Sequence, residues 1–212
     1  VCMRQGICLE HYGNRDFLRG CKMIIVFLLE EKSMKYLLDG ILPYILPDGV
    51  RFITIPHEGK SDLQKSIPNK LQGWNMPDTK FVIVQDQDSN DCRQLKRQLE
   101  DICMPYSNKE ILIRIACHEL EAWYFGDLDA VSKAYNKDLR VIKNKKKYRV
   151  PDDIVNPKRE LQKLLPEHQQ IIGAQRIAKY MNMENNTSVS FRMFVDGVRR
   201  LACASEKVCN IE

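Results

Sequence analysis

The chain has 212 residues, 44% of them apolar and 29% charged, with a formal net charge of +5. That is enough to bury one sizeable core, or one domain with an appendage. The longest apolar run, Met23 to Leu29, is far short of the roughly 20 residues of a membrane-spanning helix, so no such helix is expected.

Eight cysteines raise the question of disulfides. Cys2, Cys8, Cys21, Cys203 and Cys209 lie towards the ends, and Cys92, Cys103 and Cys117 lie inside periodic segments. No C-x-x-C pair occurs, which argues against zinc and thioredoxin-like chemistry. Polar residues from Arg4 to Asp16 break up any signal-peptide core. Reduced thiols in a cytoplasmic protein are therefore expected.

Residues 1 to 22 lack sustained periodicity, and the fold is expected to begin near Met23. Met23 to Leu29 reads as a strand ending in Glu30-Glu31-Lys32-Ser33, and a helix follows from about Ser33 to Leu46. Val50 to Pro56 is a second strand. Its helix opens at Ser61-Asp62 and runs towards Trp74, with Pro68 expected to break or kink it. Phe81 to Val84 is a third strand, apolar throughout as a strand buried on both faces should be. Asn90 to Met104 is its helix, and Glu110 to Cys117 is a fourth strand ending in His118-Glu119. A strong helix should then run from Leu120 to Tyr135.

Four alternations of strand and helix predict an α/β fold: a parallel sheet flanked by helices over residues 23–135. Beyond it, residues 136–212 should form a basic loop and a helical extension packed on the same sheet, with helices over 157–165, 171–181 and 190–202. From Lys137 to Arg149 the chain is strongly basic and shows no apolar period to bury. Such a run is usually a solvated loop, but Lys145, Lys146 and Lys147 can also meet nucleic-acid phosphates.

Ligands of parallel sheets sit at the carboxyl ends of the strands. That rule gathers Glu30, Glu58, Asp86, Asp88, His118 and Glu119 along one edge. Asp86 and Asp88 are two apart, so their carboxylates should converge and repel. Either one takes a proton or the pair holds a hard cation, Mg2+ or Mn2+ being the simplest. The plainer alternative is a solvated loop whose aspartates cap the next helix.

The stretches Leu28-Leu29-Glu30-Glu31-Lys32-Ser33 and Val82-Ile83-Val84-Gln85-Asp86-Gln87-Asp88 resemble the TOPRIM pattern shared by topoisomerases, bacterial primases and OLD-type nucleases. Related sequences place glycine after the glutamate; here Glu31 stands there, adding negative charge. Further on, Arg114 to Trp123, Asn156-Pro157-Lys158, and Asn185-Asn186 to Ser190-Phe191 resemble a narrower TOPRIM-like group. Its members are small proteins often encoded beside an ABC-type ATPase in bacterial phage-defence loci.

The resemblance implies a metal-dependent nuclease, active on DNA or RNA, as the effector of an ATPase-linked defence system. Asp86 and Asp88 would hold the metal, and Glu30 would serve as general acid or base, or as a bridging ligand. His118 is a second acid–base candidate, although a merely hydrogen-bonded histidine at a strand end is the plainer reading. Glu119, nearer the strand end, is preferred as a ligand over Glu121, read as a surface or packing residue. Lys60 can meet substrate phosphate or pair with Glu58. Lys158 is a further substrate-binding candidate, and Trp123 reads as core. The alternative function is a non-catalytic regulatory or partner-binding subunit on the same fold. A sugar-nucleotide transferase using Asp-x-Asp is disfavoured because no glycine-rich nucleotide loop accompanies the motif.

Overall fold

The computed structural model describes residues 23–203. The irregular segment expected over residues 1–22, and Cys2, Cys8, Cys21 and Cys209, lie outside those residues. Strands β1 (Met23–Leu29), β2 (Val50–Pro56), β3 (Thr79–Asp86) and β4 (Ile111–Ala116) alternate with helices α1 (Lys32–Ile45), α2 (Lys60–Gly73) and α3 (Cys92–Cys103). The strands pair in parallel in the order β2-β1-β3-β4. The expected α/β sheet flanked by helices is found.

β1 is buried along its whole length, and its pleat sends alternate residues into two cores. Ile25, Phe27 and Leu29 join Val82 and Val84 on one face, under α1 and the helices after β4. Ile24, Val26 and Leu28 join Phe81, Ile83, Ile113 and Ile115 on the other, under α2 and α3. Continuous apolar runs read as strands because both faces need them.

α2 runs unbroken through Pro68, contrary to the expected break. Leu63, Ile67 and Leu71 stay buried on one face, and that packing outweighs the cost of the proline. The helix expected over Leu120–Tyr135 is in fact two, α4 (Glu121–Phe125) and α5 (Leu128–Tyr135). The break has a tertiary cause. Thr187 donates its amide to the Gly126 carbonyl at 2.9 Å, and a Cβ on Gly126 would collide with the Asn186 side chain. The chain turns there, and Asp127 caps α5 by accepting from the Ala130 amide at 3.0 Å.

Helices α6 (Pro157–Leu164), α7 (Gln170–Ala178) and α8 (Val189–Cys203) follow. Leu161, Ala174, Ile177, Phe191 and Phe194 enter the same core as α1. Trp123 is core, fully buried with its ring centroid 5.3 Å from Phe191 and 5.2 Å from Phe194. Among the described residues, no helix is long and apolar enough to cross a membrane, and Cys92, Cys103, Cys117 and Cys203 are free thiols.

The basic segment is anchored, which its composition did not suggest. Leu139 and Ile142 are buried in the main core, and Tyr148 stacks on Phe125 at 5.4 Å and 4°. Lys145 and Lys146 are exposed. Lys147, however, is tied to Glu160 at 2.5 Å, and with Lys163 it pulls the Glu160 carboxyl down to about 2.

Asp152 fixes the start of α8. Its carboxylate accepts from the amides of Val189 (2.5 Å) and Ser190 (3.0 Å), and from the hydroxyls of Ser188 (2.8 Å) and Ser190 (2.9 Å). The Ser190 hydroxyl in turn accepts from Trp123 Nε1 at 2.9 Å, so this brace holds α8 against the chain after β4. Asp152→Ala should cost about 1–2 kcal/mol in denaturant unfolding, as loss of a helix cap does. A loss within the noise of a surface substitution would show that water takes over those donors.

Candidate functional site

The carboxyl ends of β1 and β3 are neighbours, Leu29 standing opposite Val84. Glu30 follows β1 directly, and its Oε2 accepts the Asp86 amide at 3.0 Å. Burial pushes the Glu30 carboxyl up to about 7, with Asp88 and Glu31 adding to the rise. Asp86, the last residue of β3, is 7% exposed. Burial, then the charges of Glu121 and Glu30, hold it well above the usual carboxylate range. Among the described residues, its Oδ1 has no partner.

Glu121 is the residue that sequence reasoning missed. It is 2% exposed, and burial, with Glu31 beside it, pushes it up to about 7. One signal was available: it is the lone acid in the apolar run from Leu120 to Phe125, just past the functional edge of the sheet. Glu119, preferred as a ligand, has one oxygen engaged. Its Oε2 accepts the Lys158 amide at 2.9 Å and so caps α6, whose own N-cap Asn156 makes no side-chain bond. Lys158 is exposed and joins the arrangement through its backbone.

Asp88 lies beyond the strand, at φ +53°. Its amide donates to the His118 carbonyl at 2.7 Å, and His118 Nδ1 donates to the Asp88 carbonyl at 3.2 Å. His118 itself sits at φ +57°. Two non-glycine residues in the left-handed region, facing one another, mark backbone held by its surroundings. Lys60 Nζ pairs with Asp88 Oδ2 at 3.2 Å, whereas Glu58 pairs with Lys32 at 2.7 Å. The alternative pairing of Lys60 with Glu58 is thus not the one formed.

The edge therefore holds an acidic group of buried Asp86 and Glu121 and half-buried Glu30, with Glu31 close by. Asp88 stands at its rim under Lys60, and the exposed lysines of the basic segment belong to a different part of the chain. Among the described residues, no three His, Cys, Asp or Glu side chains stand arranged to clasp one ion. The donor set still suits a hard divalent cation. It is all carboxylate, and a fully buried oxygen without a partner is costly unless something occupies it.

The family model described as a domain of unknown function, DUF4276, matches residues 29–199. The chain belongs to that family. The DUF4276 match takes in every carboxylate described above. No curated protein matches the chain. Among solved structures, the C-terminal region of the Burkholderia pseudomallei OLD protein overlaps at 15% identity and a TM-score of 0.46, over 84% of this chain and 98% of that one. The C-terminal region of the Xanthomonas campestris pv. campestris OLD protein, phased with iodine, overlaps at 12% identity and a TM-score of 0.46, over 87% and 97%.

Proposed function

We propose that this DUF4276 chain is a metal-dependent nuclease with a TOPRIM-like site. The observation that carries the proposal is the buried carboxylate of Asp86, one oxygen of which has no partner among the described residues, held beside Glu30 and under the charge of Glu121. Asp86 and Glu121, with Glu30 beside them, would close on Mg2+ or Mn2+ when it binds, with Asp88 at the rim. When bound, the cation supplies positive charge to a phosphodiester and to its leaving oxygen.

The chain's own residues supply the rest. Without the cation, burial holds the Glu30 carboxyl up at about 7; at the working site Glu30 would serve as general acid or base, or as a bridging ligand. His118, half-buried, keeps the Asp88 loop in place through its Nδ1 and is the second proton-transfer candidate. The Lys60 ammonium can meet substrate phosphate at the rim. The reading extends, on the sequence resemblance alone, to a cytoplasmic effector working with an ABC-type ATPase.

Purified protein should cleave single-stranded or duplex DNA or RNA only when Mg2+ or Mn2+ is added, with the ATPase present if its gene is a neighbour. Cation binding without cleavage of any of these substrates would favour the regulatory-subunit alternative. Failure to bind either cation would end the proposal.

Nucleic-acid affinity should draw on the exposed Lys145 and Lys146, while Lys147 is committed to Glu160. Converting Lys145 and Lys146 to glutamine should flatten the dependence of log affinity on log salt, by up to roughly 0.9 for each phosphate that is no longer neutralised. An unchanged slope would make the segment a solvated, anchored loop and nothing more.

A further inference from the structure

Lys60 opens α2 just after Gly59, which adopts φ +110° and donates its amide to the Glu30 carbonyl at 2.9 Å. The loop carrying Lys60 is thus stitched to the acidic edge. The two ends of the Lys60–Asp88 pair differ in freedom. Asp88 is fixed on both sides of its peptide by His118, whereas Lys60 reaches it on a long side chain. In the loop itself the carboxylates are already engaged, Glu58 with Lys32 and Asp62 with the Glu58 amide at 3.0 Å, while Glu30 of the acidic edge also feels the Lys60 charge. Both partners of the pair are partly open to solvent, with side-chain exposures of 53% and 38%, so the pair is easily broken.

We propose that Lys60 is an internal counter-ion for Asp88 that a divalent cation displaces, releasing the ammonium to a substrate phosphate. This deepens the nuclease reading and rests on it. A dication outcompetes an ammonium at one carboxylate by charge alone, and a released Lys60 finds no idle carboxylate in its own loop. Metal binding and polyanion binding at this edge are then coupled, and the coupling acts in both directions. Lys60 guards the rim against stray cations and gives up its partner only when the dication arrives.

The test titrates Mn2+ alone into the full chain by calorimetry at low salt. Lys60→Met should bind Mn2+ about two- to fivefold more tightly than wild type, the scale set by an exposed ion pair. The gain should vanish in an Asp88→Asn background, and Lys32→Met, which removes the same charge from the Glu58 pair, should not reproduce it. In a second titration, Mn2+ should strengthen binding of a phosphorothioate-linked oligothymidylate more in wild type than in Lys60→Met. An unchanged or weaker Mn2+ affinity in Lys60→Met overturns the exchange. So does a gain that persists with Asp88→Asn or is matched by Lys32→Met, and so does equal Mn2+ enhancement of oligothymidylate binding in Lys60→Met. In those cases wild type still binds Mn2+ and the nuclease reading stands. Wild type that binds no Mn2+ brings down both.

Discussion

Asp86→Asn should abolish divalent-cation binding and nucleic-acid cleavage together while leaving the fold as stable as before, or slightly more so. The substitution keeps the shape of the side chain and removes its charge. Asp86 is a buried carboxylate whose neighbours Glu121 and Glu30 both raise its proton affinity, so it contributes repulsion to the metal-free fold. Removing one member of a crowded acidic group relieves that repulsion. The amide that replaces the carboxylate can also donate to the acidic groups beside it. Cation binding should weaken by more than the roughly 10–100-fold typical of losing an outer-shell partner, because a charged group at the centre of the site is gone. Calorimetric titration of Mn2+ into both proteins, with denaturant unfolding of each, reads the two effects separately. Equal Mn2+ affinity in the two proteins would sink the role given to Asp86, and a collapse of stability would leave any loss of cleavage without meaning.

Much of the fold was legible because its strands obey simple rules. β1, and Phe81 to Val84 within β3, are buried on both faces and so read as unbroken apolar runs. Alternation with helices implied parallel pairing, and parallel pairing implied an edge where Glu30 and Asp86 would meet. They do meet, through the Asp86 amide. What could not be read depended on partners far along the chain. The break at Gly126 is set by Asn186 and Thr187. One oxygen of Glu119 takes the amide of Lys158, and Lys147 is tied to Glu160. Spacing along the sequence gives no sign of such pairings. The strand argument for Asp86 and Asp88 reaches only the first of them. Strand alternation stops at Asp86, and Asp88 sits in a left-handed turn of its own, so a rule for strands no longer governs it.

The burial of Glu121 leads to the second large effect, on stability against pH. Burial raises its carboxyl from the ordinary 4.5 to about 7 in the folded protein, while the unfolded chain keeps the ordinary value. Between those two values the folded state holds a proton that the unfolded state has released. Stability is therefore full below about pH 4.5 and is lost as pH rises through 7, by about 3 kcal/mol for this group. Glu30 and Asp86 are raised as well, so their contributions carry the same sign. Glu121→Gln removes the titrating group but keeps the side chain's size. Its unfolding free energy should change less from pH 5 to pH 8 than that of wild type. At pH 8 it should be the more stable protein by about 1–3 kcal/mol, a rise in melting temperature of roughly 2–10 °C for a chain of this size. Saturating Mn2+ should reverse the order, since a ligand that binds only the folded state stabilises it by mass action and the variant has lost a carboxylate that would hold it. Denaturant unfolding of both proteins across that pH range, with and without Mn2+, measures each part. Parallel stability curves for wild type and Glu121→Gln would show that Glu121 ionises as an exposed carboxylate does. An order at pH 8 unchanged by Mn2+ would remove Glu121 from the residues that hold the cation.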